Sequence, residues 1–383
     1  MGTLGIGAVV QMNSELLSAR GKGKKRTKSI SLLSQKKKPQ NHSFQVNSNL
    51  GSNNEVLEVK DIRDDCQKYN NNEVLQVKEI RDNCKKWVWK GQYSINYLVK
   101  SDSINNDTTR PCLLLVHGFG ASIPHWRRNI ATLAQNYTVY AIDLLGFGDS
   151  DKPKGFSYTM ESWAQLILDF LGEVIQKHTV LIGNSVGSLA CVIAASESRQ
   201  NLVQGLVLLN CAGGMNNKAI VDDWRIKLLF PLLLLIDFLL KQQVIASTIF
   251  ERVKQRDTLR NILLSVYGNK DSVDDELVEI IKGPADDEGA LDAFVSIVTG
   301  PPGPSPVTLM PRISIPVLVL WGDEDPFTPL DGPVGSLTGA VQNRVGLHLF
   351  AYRPELKVNL HFVWMGEATV INKRIREVKG EKE

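Results

Sequence analysis

Three short stretches hold residue types that could do chemistry together. Gly183-Asn184-Ser185-Val186-Gly187 sets a serine between two glycines, after the apolar run Thr179–Ile182 and before the helix-prone Leu189–Ala195. In so tight a strand-to-helix turn, side chains at 183 and 187 would strike neighbouring backbone, and the serine is pushed up and exposed. His117-Gly118-Phe119-Gly120 follows the run Cys112–Val116 and offers backbone rather than imidazole. The N–H groups of Phe119 and Val186 would together receive a developing oxyanion, each such donor being worth ~3 kcal/mol in a transition state. Gly322-Asp323-Glu324-Asp325 follows Val317–Trp321. Asp323 and Glu324 compete for the part of a triad acid, but the proline that follows and the spacing from Gly322 select Asp325. A serine attacking a carbonyl, an imidazole taking its proton and a carboxylate orienting the imidazole make a self-consistent set. Serine at 185, where an aspartate would suggest epoxide or halide chemistry, suggests ester cleavage.

The imidazole is the part that the spacing leaves open. His117 reads as a histidine packed under its loop, and His125 in PHWRRN as a helix-start residue. Beyond the acid, His348 lies in VGLHLFAY and His361 in KVNLHFVW, 23 and 36 residues after Asp325 (348 − 325 and 361 − 325). Each sits inside an apolar run rather than after one. His361 is the candidate base and His348 its alternative.

These turns need elements to hold them. Trp87–Lys100 alternates around a central glycine, as a β-hairpin would. The apolar runs Cys112–Val116, Thr138–Ile142, Thr179–Ile182, Leu202–Leu209 and Val317–Trp321 each end in a turn bearing Gly, Ser or Asp. Trp163, Leu166, Ile167, Phe170, Leu171 and Val174 form a helical stripe between the second and third of them. Continuous apolar strands alternating with helices specify a mostly parallel sheet covered on both faces, the α/β class, with ligands beyond the carboxyl ends of the strands. Between Gly213 and Pro311 the connection is too long for a crossover. It is expected to be a helical cap, with loops near Gly268, at 283–289 and at 300–306. Within it Leu228–Leu240 (LLFPLLLLIDFLL) is apolar on nearly every side, either a buried cap helix or a surface that cradles an apolar chain or dips into lipid.

Composition narrows the partners. The net charge is +3, and residues 1–50 hold nine Lys/Arg against Glu15 alone, or +8, which leaves −5 for the rest (3 − 8). A mildly acidic body without a basic stripe argues against nucleic acid. The basic, Ser- and Asn-rich leader reads as an organelle transit peptide or a disordered tail. Five cysteines without CxxC or metal-ligand spacing suit free thiols in a reducing compartment, and neither metal nor organic cofactor is expected. No stretch reaches the ~18 apolar residues of a spanning helix. Residues 53–69 recur, with substitutions, at 71–87, a local duplication from which no function need follow.

From about 87 to 335 the chain resembles the chloroplast chlorophyll dephytylases, relatives of pheophytinase among the α/β-hydrolases. HGFGASIPHWRRN, DLLGFGDSDKP, LIGNSVGSLA, LLNCAGGMNNKAIVDDWRIKLL, SIVTGPPGP and LWGDEDPFTPLDGPVG carry the resemblance. It implies the α/β-hydrolase fold with an inserted cap, and hydrolysis of the phytyl ester of chlorophyll at the thylakoid membrane. It carries the nucleophile to Ser185 and the acid to Asp325. The family has a further strand ending in Gly-His, and no such dipeptide follows Asp325 here. The expected organisation is a transit peptide over 1–50, a duplicated linker over 51–86 and a first part of the core over 87–213. The cap over 214–311, the acid-bearing second part of the core over 312–335 and an atypical C-terminal segment over 336–383 complete it. The alternative to an esterase is a weak or inactive chain of the same fold that binds chlorophyll or a terpenoid.

Overall fold

The computed structural model describes residues 74–101, 111–198, 201–216, 234–267, 270–322 and 325, and the strand 348–352. Among the described residues eight strands form one sheet: β1 (Lys85–Trp89), β2 (Tyr93–Lys100), β3 (Cys112–Val116), β4 (Thr138–Ile142), β5 (Thr179–Asn184), β6 (Val203–Leu209), β7 (Val317–Gly322) and β8 (His348–Tyr352). Their order is β1-β2-β4-β3-β5-β6-β7-β8. β1 and β2 are antiparallel, as are β2 and β4, and every other neighbouring pair is parallel.

The hairpin turns at Lys90 and Gly91, both with left-handed φ (51° and 70°), and Gln92 N–H donates to Trp89 C=O at 3.1 Å. Two left-handed residues give the turn a twist that matches the strands. The parallel strands are mostly apolar because both faces of the sheet are covered. Along β3, Cys112, Leu114 and Val116 enter one core cluster, and Leu113 and Leu115 enter the other.

α1 (Val77–Asp82) and α2 (Ile130–Ala134) supply Ile80, Ile130 and Leu133 to the second cluster. α3 (Met160–Phe170) covers the first, burying Met160, Trp163, Leu166, Ile167 and Phe170. At its start Thr159 Oγ1 accepts the Ser162 N–H and Ser162 Oγ accepts the Thr159 N–H, both at 3.0 Å, a reciprocal cap that satisfies two otherwise orphaned donors. α4 (Val186–Glu197) is buried along almost its whole length.

Between β6 and β7 lie a helical turn over 234–240 and then α5 (Gln243–Val253), α6 (Arg256–Val266), α7 (Asp275–Ala285) and α8 (Ala290–Thr299). The loop expected at 283–289 starts later, because α7 carries Gly283 and Pro284 in its last turn. There Pro284 removes only one bond of the ladder, beside a helix end that is losing its partners anyway.

The tail also differs from expectation. The sheet gains β8 inside the apolar run VGLHLFAY, paired in parallel with β7 from Leu318↔His348 to Gly322↔Tyr352. Only part of the run Leu228–Leu240 lies among the described residues. There Leu234, Leu235, Phe238 and Leu239 are exposed and Leu240 is buried.

Candidate active site

Ser185 joins β5 to α4 with φ 52° and ψ −117°, backbone that an L-residue adopts only when its surroundings enforce it. They do. Ser185 N–H donates to Leu209 C=O at 2.9 Å, and Ser185 C=O accepts from Ala212 N–H at 3.1 Å. The flanking glycines act sterically. A β-carbon on Gly183 would lie 2.5 Å from Ser188 Cα, and one on Gly187 would lie 2.3 Å from His117 O. Ser188 locks the turn from below, its Oγ donating to Gly183 C=O at 2.6 Å and accepting Leu209 N–H at 3.2 Å. Ser185 itself keeps 7% of its surface.

The His117–Gly120 loop lies directly against this turn, Gly118 abutting Ser185 Cβ. Val186 follows the serine and Phe119 follows Gly118, so both N–H groups belong to the two segments that meet at Ser185. Among the described residues neither N–H has an acceptor, the state an oxyanion hole requires before substrate arrives.

His117 is fully buried and works as a strut. Leu144 N–H donates to its Nε2 at 3.0 Å, and its Nδ1 lies 2.7 Å from Gly118 C=O. One nitrogen must accept and the other donate, so the ring is neutral with its proton on Nδ1. Burial pushes its pKa down, against the pull of Asp143 and of the Gly118 carbonyl. His125, also buried, accepts Ser122 N–H on Nδ1 at 3.1 Å in a short 3₁₀ turn.

Asp143, after β4, organises the other side. Its carboxylate accepts from Asn96 Nδ2 (2.8 Å), Ile123 N–H (2.7 Å) and Asp149 N–H (2.9 Å). Burial raises its pKa, while His117 and these donors pull it back. A β-carbon on Gly148 (φ 54°) would lie 2.3 Å from the Asp143 carboxyl, so DLLGFGDS is a loop wrapped on its own aspartate.

Asp325 stands beyond β7, half-buried, and Asn210 Nδ2 donates to its Oδ2 at 2.5 Å. Asn210, just past β6, has a left-handed φ of 45°, and its N–H donates to Leu320 C=O at 3.0 Å. From sequence alone Asn210 receives no role. The signal was its place at the carboxyl end of the strand beside the acid's own. Ser185, Phe119, Val186 and Asp325 all follow carboxyl ends of parallel strands. His348 does not. It opens β8 opposite Leu318, at the far end of the strand from Tyr352 and Gly322. His361 lies outside the described residues, as do Asp323 and Glu324.

Residues 111–343 match the family described as alpha/beta hydrolase fold. The chain belongs to this family. An uncharacterized hydrolase of Bacillus subtilis, YugF, is 27% identical over 222 residues, which span 58% of this chain and 76% of that protein. The chloroplastic pheophytinase of Arabidopsis thaliana is 25% identical over 286 residues, spanning 64% of this chain and 57% of the pheophytinase. Among solved structures, a bacterial membrane phospholipase A superposes with a TM-score of 0.54 at 22% identity, over 78% of this chain and 87% of that one. That likeness is one of fold.

In this α/β-hydrolase the helices between β6 and β7 are tied to the core by charge and by aromatic rings. Arg127, almost wholly buried, meets Asp274 Oδ2 at 2.9 Å and Glu276 at 3.2 Å at the start of α7. Lys152 Nζ meets Asp287 at 2.7 Å, and Gly289 sits so close that a β-carbon would lie 2.0 Å from Lys152 O. Phe119 neighbours Phe147 (5.6 Å between centroids) and Phe294 of α8 (6.2 Å), and Phe294 neighbours Phe250 of α5 (5.1 Å). An apolar row therefore leads from the serine turn to the helices that expose Phe238 (61%) and Val244 (78%). No group of three His, Cys, Asp or Glu able to hold a metal occurs among the described residues. No helix among them is long and apolar enough to cross a membrane.

Proposed function

We propose that this α/β-hydrolase is a serine esterase acting on a lipophilic ester, of the class of the phytyl ester of chlorophyll. The observation that carries the reading is Ser185, held at φ 52° in a strand-to-helix turn with the His117–Gly120 loop packed against it. The substrate class is supported by the similarity to a chloroplastic pheophytinase and by the aromatic row from Phe119 to Phe250. In this scheme Ser185 Oγ attacks the ester carbonyl while an imidazole takes its proton. The negative charge on the carbonyl oxygen is met by the N–H groups of Phe119 and Val186. Collapse breaks the bond to the alcohol, which leaves as phytol with the proton from the imidazole, and water then releases the acid, chlorophyllide. His361 is the base in this scheme, with Asp325 orienting it. The register of β8 speaks against His348.

The scheme places the protein in the chloroplast, residues 1–50 serving as the transit peptide. The exposed Leu234, Leu235, Phe238 and Val244 meet the thylakoid surface. Burying apolar area is worth ~25 cal/mol per Å², so a C20 alcohol and a greasy helix tip favour the same lipid phase.

The test is labelling by a fluorophosphonate, followed by release of chlorophyllide from chlorophyll. Ser185→Ala should abolish both, and a labelled Ser185→Ala protein sinks the assignment. A second reading, a chain that binds such a ligand with weak or no turnover, is favoured by one observation: the histidine that opens β8 is at the wrong end of the strand. Ligand binding by a parent chain that is never labelled would select it.

A further inference from the structure

Asn210 and Asp325 end neighbouring parallel strands, 115 positions apart in the chain, and meet at 2.5 Å through Nδ2 and Oδ2. The backbone of Asn210 is separately accounted for. Its left-handed φ of 45° and its N–H bond to Leu320 C=O shape the end of β6. A glycine would satisfy both of those demands, so the side-chain amide is the part that turn geometry does not explain. Its effect falls on the carboxylate. The terminal torsion of an aspartate is broad, and a carboxylate free to swing does not aim an oxygen at an imidazole. A hydrogen bond to Oδ2 narrows that torsion and so helps set the direction of Oδ1.

We propose that Asn210 is a positioning residue that holds the Asp325 carboxylate from the adjacent strand so that it can orient the catalytic imidazole. This rests on the reading of Ser185 and Asp325 as parts of one triad. A corollary is geometric. With the two side chains in direct contact, a carboxylate carried at 210 and an amide at 325 would occupy nearly the same pair of positions.

The experiment uses the full chain and two readouts, the rate constant for fluorophosphonate labelling and kcat and KM for p-nitrophenyl butyrate. Asn210→Gly keeps the left-handed backbone and removes the amide, and Asn210→Ala removes the amide and strains the backbone. Both should lower the labelling rate and kcat by about 10–100-fold, the worth of a hydrogen bond to a charged group, with KM within about twofold. Asp325→Asn should lower them by ~10³–10⁴-fold. The exchange Asn210→Asp with Asp325→Asn should recover at least tenfold over Asp325→Asn alone, which a purely structural asparagine would not do. Parent rates in Asn210→Gly, with Asp325→Asn impaired, overturn the positioning role and leave the triad standing. An exchange variant no better than Asp325→Asn overturns it too. Parent rates in Asp325→Asn, or a parent chain that is never labelled, overturn the triad and the proposal together.

Discussion

A β-carbon on Gly118 would stand 3.3 Å from Ser185 Cβ and 2.7 Å from Asn184 Oδ1. The loop after β3 and the turn after β5 are therefore in contact beside the nucleophile, with no side chain at 118 between them. Gly118→Ala must turn the Asn184 amide aside and crowd the Asn184 carbonyl and Ser185 Cβ, each 3.3 Å from the new carbon. Shifting the proposed oxyanion donor in this way should slow fluorophosphonate labelling by up to about a hundredfold with a modest change in melting temperature. Labelling at the parent rate with an unchanged melting temperature would show that the turn absorbs the methyl without moving the loop. Gly187→Ala meets only backbone, at 2.3 Å from His117 O and 2.6 Å from Val116 O. It should cost about 3 kcal/mol in urea unfolding.

His117 and His125 make stability depend on pH. Burial is the first cause that holds both imidazoles below their ordinary 6.5 in the folded chain, His125 well below. Unfolded, they take up protons as the pH falls through about 6.5; folded, they do so only at lower pH. The stability they contribute is therefore fully present above 6.5 and lost below it, at up to ~1.4 kcal/mol per pH unit for each ring. Asp143, whose carboxyl is raised from 3.8 by burial, acts with the opposite sign at the acid end. Unfolding free energy measured in urea should fall between pH 7 and 5.5. His125→Gln should remove about half of that slope, and an unchanged slope would mean that the ring is protonated in the fold.

The membrane contact proposed for the exposed helix tip can be tested apart from folding. Leu235 and Phe238 are 52% and 61% exposed, so replacing both with Gln should leave the melting temperature within a degree or two. Binding to vesicles of thylakoid lipids should weaken about tenfold or more, given ~1.5–3 kcal/mol for a fully buried side chain of this size, while hydrolysis of short esters persists. Vesicle binding at the parent level would place the contact elsewhere.

The C-terminal histidine can be tested by addition. Tyr352 ends β8 beside Gly322, and Arg353, Pro354 and Glu355 follow in sequence. Pro354→Gly with Glu355→His writes a Gly-His pair just after the strand. If the parent lacks a base, ester turnover should rise at least a hundredfold, since a chain missing one triad member keeps only ~10³–10⁴-fold catalysis over water. If His361 already serves, turnover stays level and His361→Ala abolishes it.

What the sequence determined by itself was local and steric. β3 and β4 begin and end where the mostly apolar runs do, because a sheet covered on both faces favours continuous apolar strands. The strained serine followed from two glycines four positions apart, Gly183 and Gly187, since that turn leaves no room for a side chain at either. The loop of DLLGFGDS was visible as a motif, but its cause, a buried Asp143 collecting donors from β2, the 3₁₀ turn and its own loop, was not. Tertiary structure alone decided the contacts between distant positions: Asn210 with Asp325, Arg127 with Asp274, and His117 with Leu144. A hydrogen bond between strand ends leaves no periodic trace in either segment. The tail was decided in the same way. VGLHLFAY is apolar enough for a strand in any register, and only pairing against Leu318–Gly322 put His348 at the beginning of β8 and Tyr352 at its carboxyl end.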